Sequence, residues 1–160
     1  SPPHLATWMG ASAQPNKTVY PQQPCLAVGA VVIKDNRVLL VKRGNPPAKG
    51  QWAIPGGSVR LGESLQKAAE RELREETGAI IQAKEVIYTF DVIDQDSRGR
   101  VRYHYIIVDL MAEYISGDIR PGDDALDVRW ISPEMLTRLE VNARTLKLLC
   151  EELGFGHGPC

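Results

Sequence analysis

The sequence predicts an α/β fold, an α/β/α sandwich around a mixed β-sheet. Three observations carry this: strand patterns flank one central amphipathic helix on both sides, a second helix with an apolar stripe closes the chain, and no segment repeats. At 160 residues the chain has the length of one domain with a sizeable core.

Residues 1–24 are rich in Pro, Gln, Ala and Ser and lack periodicity, so they read as an N-terminal arm, partly disordered or draped. Trp8, Met9 and Tyr20 are its available anchors, on the domain or on a second subunit of a homodimer. The domain itself is expected over residues 25–154, with 155–160 as a frayed tail. Leu26 to Ile33 reads as a buried strand, Asp35-Asn36-Arg37 as a turn, and Val38 to Lys42 as the returning strand of a hairpin that ends at Arg43. Gly44 to Gly50 is a loop dense in breakers. Trp52 to Gly57 then forms a short strand entering a glycine turn, where backbone without side chains can approach a bound ion closely; ordinary turn chemistry explains the two glycines equally well.

The central helix is expected over Ser64 to Thr77, ending at Gly78. A helical wheel puts Leu65, Ala68, Ala69 and Leu73 on one inward arc, and Glu72, Glu75 and Glu76 fall in the same arc. Gln66, Lys67, Glu70, Arg71 and Arg74 point outward, with Glu70 to Arg74 and Arg71 to Glu75 spaced for i,i+4 pairing. Three carboxylates beside a buried face repel one another, and burying them is costly unless they are paired or hold a metal. All-oxygen donors favour Mg²⁺, with Mn²⁺ as the alternative. The competing reading is a solvated acidic helix whose glutamates reach water.

Beyond the helix, Lys84 to Asp94 and Val101 to Glu113 read as paired strands joined at Asp96-Ser97-Arg98-Gly99. His104 in the second strand has no carboxylate nearby in sequence to orient it, so it reads as packed or surface rather than as a base. Gly117 to Asp124 is a loop and Asp127 to Ile131 a strand. Ser132 caps a helix over Glu134 to Leu139, with Pro133 at its first position. Asn142 to Leu153 is the closing helix, with Leu146, Leu149, Cys150 and Leu153 on one core stripe.

The balance of 19 basic against 20 acidic residues, net −1, argues against a dedicated nucleic-acid binder. Cys25, Cys150 and Cys160 are widely spaced and odd in number, which reads as free thiols in a reducing, cytoplasmic setting. The longest apolar run, Cys25 to Ile33, is too short to cross a bilayer, and no cleavable leader precedes it, so no membrane partner is expected.

From Gly57 the order is five residues, Glu63, seven residues, then Arg71-Glu72-Leu73-Arg74-Glu75-Glu76-Thr77-Gly78. This resembles the box of the Nudix hydrolase family, at all of its fixed identities; Ala79 is smaller than the aliphatic residue usual at the end of the box. The Trp52-x-x-Pro55-Gly56-Gly57 lead-in is similar to the family's as well. The resemblance implies the α/β/α sandwich already drawn and a metal-dependent pyrophosphohydrolase. Its substrate would be a nucleoside diphosphate linked to another moiety, and its products a nucleoside monophosphate and the phosphorylated moiety.

By the same resemblance Glu72, Glu75 and Glu76 hold metal, with Gly56 as a carbonyl ligand, and Glu63 and Arg71 brace the helix. The catalytic base is one of the three glutamates or a carboxylate from a distant loop, for which Asp124, beside Asp123, is the candidate. Arg43 and Lys49 are candidates for gripping phosphate or ribose, and Trp52 for stacking on a base, although a core role suits Trp52 better. The segment around Asn45 to Gly57 looks more like the ADP-ribose and ADP-sugar group. The proline that often follows the box in that group is absent, since the region reads Asp94-Gln95-Asp96. A nucleoside triphosphate pyrophosphohydrolase is the alternative. A reading of a different class is a nucleotide-sensing domain without turnover, which the retention of every box glutamate disfavours.

Overall fold

The structure, a computed structural model, describes residues 19–45 and 48–156. The anchors Trp8 and Met9, and the last four residues of the expected tail, lie outside the described residues.

Strand β1 (Cys25–Lys34) and β2 (Arg37–Arg43) form the expected hairpin around Asp35 and Asn36, both at positive φ. β3 (Trp52–Ala53) pairs with β2, and β4 (Gly56–Ser58) pairs antiparallel with β1. Helix α1 (Leu65–Thr77) is followed by two long paired strands, β5 (Ile80–Gln95) and β6 (Val101–Ser116), and then β7 (Ala125–Ile131) on the outer side of β2. The chain closes with α2 (Pro133–Leu136), α3 (Ala143–Leu146) and a π-helical turn over Lys147–Glu152. β1 runs parallel to β6, whereas the other pairs are antiparallel, so the seven-stranded sheet is mixed.

Alternation along β1 sorts its side chains into two cores. Val28, Ala30 and Val32 face α1 with Ala68, Ala69 and Leu73. Val31 faces the C-terminal helices with Leu136, Leu148 and Leu149. Two helical layers therefore sandwich the sheet, as predicted. No helix among the described residues is long and apolar enough to cross a membrane.

Several boundaries differ from the sequence reading. β5 begins at Ile80 rather than Lys84 because its first residues pair with Tyr114 and Ser116 on β6, a partner distant in sequence. The closing helix is not one α-helix: its hydrogen bonding turns to the π pattern from Lys147, which apolar spacing does not register. Cys150 is disulfide-bonded, correcting the reading of the cysteines as free thiols; Cys25 is free.

Candidate functional site

Helix α1 is fixed at both ends. The Ser64 hydroxyl accepts from the Lys67 amide at 3.1 Å, and Gly78 closes the helix at φ 79°, where its N–H reaches the Arg74 carbonyl. Ala68, Ala69 and Leu73 pack on the sheet, and that anchoring turns Glu72 and Glu76 toward the glycine turn of β4. Both glutamates are buried, at 5% and 8% exposure. The Gly56 N–H donates to Glu76 Oε1 at 3.0 Å. Gly57 stands against the Glu72 carboxylate so closely that a Cβ there would fall 2.2 Å from Glu72 Cδ, so the position needs a glycine.

Arg71 departs from the wheel. It was expected to point outward, yet only 13% of its side chain is exposed. Its Nε donates to Glu63 Oε2 at 2.6 Å, Nη2 to the Ser58 carbonyl at 2.8 Å, and Nη1 to Glu72 Oε2 at 2.9 Å and Glu75 Oε1 at 3.2 Å. A planar fork can serve several acceptors at once, and the length of the side chain carries it across the helix edge. Arg71 thus ties the start of the helix, the β4 backbone and Glu72 together. Glu75 stands at the rim, half exposed. The expected Glu70 to Arg74 pair is absent among the described contacts; Glu70 instead accepts from the Ala83 amide on β5.

The loop between β6 and β7 brings further carboxylates to this end. Arg120 N–H donates to the Thr77 carbonyl and Gly122 N–H to the Glu76 carbonyl, both at 2.8 Å, so the loop is strapped to the last helical turn. A cavity of about 460 Å³ results, lined by Glu72, Glu75, Glu76, Asp123 and Asp124, with Arg120 as its one lining cation. Burial pushes Glu72 up to about 7, with Arg71 opposing. Burial pushes Glu76 up to about 8 against the Gly56 amide bond, with the Glu72 and Asp124 charges adding to the rise. Asp124 is raised by burial and by Asp123, while the Asn45 amide at 3.3 Å opposes. Among the described residues, no three Asp, Glu, His or Cys side chains are drawn together as tightly as in a formed metal site.

A second cavity, about 240 Å³, opens on the C-terminal-helix face of the sheet. Arg43 lines it, and the same side chain feels the charge of Glu76, which lines the first cavity. Burial lowers Arg43 to about 9 despite that carboxylate. The walls are Ile54, Phe90, Val92, Ile107 and Leu148, and Asp109 is buried among them.

A NUDIX domain family model matches residues 23–151. The chain belongs to the NUDIX domain family. The ADP-ribose pyrophosphatase of Methanocaldococcus jannaschii is 38% identical over 116 residues, 72% of this chain and 66% of that protein, so the chain spans just under two thirds of its length. The nucleoside triphosphatase NudI of Escherichia coli (strain K12) is 34% identical over 106 residues, 62% of this chain and 74% of that one. A MutT NUDIX hydrolase from Burkholderia pseudomallei, a crystal structure, matches with a TM-score of 0.68 at 29% identity, over 82% of this chain and 99% of that chain.

On this Nudix fold, the residues singled out from the sequence separate into two groups. Glu63, Arg71, Glu72 and Glu75 are linked along α1, Gly56 bonds Glu76, Asp124 lines the same cavity as Glu72, Glu75 and Glu76, and Arg43 lines the second cavity. Gly56 meets Glu76 through its amide rather than its carbonyl. Trp52 and Lys49 fall away from both cavities. Trp52 is 4% exposed and packs in the core with Leu136 and Leu148, under the Arg129 guanidinium, which leaves no open face for a base. Lys49 is exposed, and it is Ala48 that touches the second cavity. Sequence reasoning missed Asp109. Its signal was available: one acid in the middle of the apolar run Ile106-Ile107-Val108-Asp109-Leu110-Met111.

Proposed function

We propose that this Nudix hydrolase cleaves the diphosphate of a nucleoside diphosphate linked to a second moiety, ADP-ribose or a related nucleotide sugar. The observation that carries the reading is a pair of cavities, one lined by carboxylates and one apolar, with Arg43 of the apolar one feeling the charge of Glu76 in the other. One suits the reacting phosphates and the other a flat organic group.

The donor set fits a hard divalent cation, Mg²⁺ or Mn²⁺. It offers oxygen alone, and the buried Glu72 and Glu76 are raised because burial leaves their charge under-compensated. Glu72, Glu75 and Glu76 would hold it, and when bound it supplies charge neutralisation at the phosphate oxygens and a lowered pKa for water. The chain's own residues then divide the work. Arg71, clamped by Glu63 and the Ser58 carbonyl, orients Glu72. Arg43 grips the diphosphate from the side of the apolar cavity. The water oxygen bonds to one phosphorus, the bridging P–O bond breaks, and its electron pair leaves on the other phosphate. Asp124 or a helix glutamate takes the proton from water. ADP-ribose would give AMP and ribose 5-phosphate.

The M. jannaschii relative favours this substrate class. The likeness to NudI favours a second reading, nucleoside triphosphate cleavage. A panel of ADP-ribose, other nucleotide sugars and nucleoside triphosphates, assayed for phosphate products with Mg²⁺, Mn²⁺ or chelator, separates the two. Chelator-sensitive cleavage of ADP-ribose is expected. Glu72→Gln should lower it by more than the 10- to 100-fold typical of residues around a metal's ligands, roughly, without loss of fold. Cleavage that survives both chelator and Glu72→Gln would overturn the assignment, and selective triphosphate cleavage would establish the second reading.

A further inference from the structure

The apolar cavity carries one polar group with nothing to bind. Of its polar lining residues, Thr145 accepts from the Ile54 amide at 3.4 Å, and Asn142 accepts from the Arg144 amide at 3.0 Å while donating to Gln51 Oε1 at 3.3 Å. Arg144 lies 4.6 Å over the Phe90 ring, and Arg43 donates to the Asn45 carbonyl at 3.5 Å. Asp109 differs. It is 2% exposed, and its Oδ1 is buried without a hydrogen bond.

The register explains how it comes to be there. Asp109 pairs directly with Gly29 on β1, and a Cβ on Gly29 would fall 2.5 Å from Asp109 Oδ1, so the missing side chain makes room for the carboxyl. Oδ1 lies against that glycine, and Asp109 is part of the cavity lining. A buried carboxyl without a partner is costly, and such groups are retained where a ligand supplies the missing donor.

We infer that Asp109 is the specificity-determining residue of this cavity, accepting a hydrogen bond from the exocyclic amine of an adenine-type base. Ile54, Phe90, Val92 and Ile107 give the flat apolar walls a purine requires. An ionised carboxyl accepts and does not donate, so it suits the exocyclic amine of adenine rather than the carbonyl that guanine carries at the same ring position. Burial is the cause that holds the Asp109 carboxyl up at about 7, which agrees with the absence of a compensating donor. The assignment rests on the nucleotide-hydrolase reading for the position of the phosphates, but its test needs no turnover.

The test is titration calorimetry in chelator with AMP, with purine riboside 5′-monophosphate, which has the same ring without the amine, and with GMP. Removing the amine should weaken binding to the unsubstituted protein by about 10- to 100-fold, the worth of a hydrogen bond to a charged group. Asp109→Leu should bind AMP and the deaminated analogue equally weakly. Asp109→Asn, whose amide oxygen can occupy the same place, should keep the AMP preference. Equal binding of the two by the unsubstituted protein, no AMP binding, or tighter GMP binding would overturn the inference. So would an amine preference that persists in Asp109→Leu. Should that variant not fold, the unsubstituted protein and Asp109→Asn decide alone. An amine preference without hydrolysis of ADP-ribose would sink the proposed reaction and leave the base site standing.

Discussion

Asp109→Asn should stabilise the protein in a pH-dependent way. An aspartate of ordinary value 3.8 is held up at about 7 here, with burial as the cause. In the unfolded chain the group ionises near its ordinary value, so between about pH 4 and pH 7 folding takes up a proton. Stability from this group is therefore fully present at low pH and is lost as pH rises through the folded value. At roughly 1.4 kcal/mol per pH unit, the difference comes to about 4 kcal/mol by pH 8, a large share of the 5–15 kcal/mol typical of a domain. Asparagine keeps the shape and does not titrate. Urea unfolding of both proteins from pH 4 to pH 9 measures the difference directly. Glu72 and Glu76 titrate in the same direction in both proteins and cancel in the comparison. The difference should be small near pH 4 and widen with pH, equivalent to a melting-temperature gap on the order of 10 °C at pH 8. Parallel curves across the range would refute the reasoning, because a carboxyl that is solvated or paired when folded leaves no such signature.

Arg71→Lys keeps the charge but loses the fork that serves Glu63, Ser58 and Glu72 together. Unfolding free energy should fall by about 2–3 kcal/mol, and kcat by about 10-fold or more with little change in KM, since the lysine no longer holds Glu72 in place; unchanged kcat and stability would show that the clamp is dispensable. Gly122→Ala should cost about 1–3 kcal/mol, because the new Cβ would fall 2.4 Å from the Glu75 carbonyl and neither backbone can yield easily. Its turnover should fall in parallel as the loop carrying Asp124 lifts from the helix, and a normal melting temperature would count against the strap.

What the sequence made legible was local. The stop of α1 was visible because Gly78 ends the helical pattern, its start was placed one residue early because Ser64 proves to be the N-cap, and the β1–β2 hairpin was visible because Asp35 and Asn36 tolerate positive φ. The gathering of Glu72 and Glu76 followed from their places beside Ala69 and Leu73. What failed depended on partners far away in the chain. The wheel gave the direction in which the Arg71 backbone bond leaves the helix, but the guanidinium sits where the Ser58 carbonyl draws it. Trp52 reads the same in sequence whether its ring meets a ligand or Leu148, and only the packing of the C-terminal helices decides. Asp109 was hidden by its own neighbours, since a strand buried on both faces is expected to be apolar and one acid in it looks like noise.

The register suggests why the reactive and recognising ends can cooperate. Gly56 pairs with Gly29, and Gly29 pairs with Asp109, so these three residues lie in line across β4, β1 and β6. At roughly 4.8 Å per strand spacing, the ends are about 10 Å apart. At one end the Gly56 amide holds Glu76; at the other the Asp109 carboxyl floors the apolar cavity. The middle residue must be glycine, because any side chain at position 29 would strike Asp109. Hydrogen-bonded strands are among the stiffest spacers a fold provides, so the separation is set by the sheet and not by a loop. A base seated against Asp109 would then present its phosphates to the carboxylates at a fixed reach, past Arg43. On the proposed reading, specificity and reactivity would be coupled through this backbone distance, so a substitution at Gly29 should disturb both.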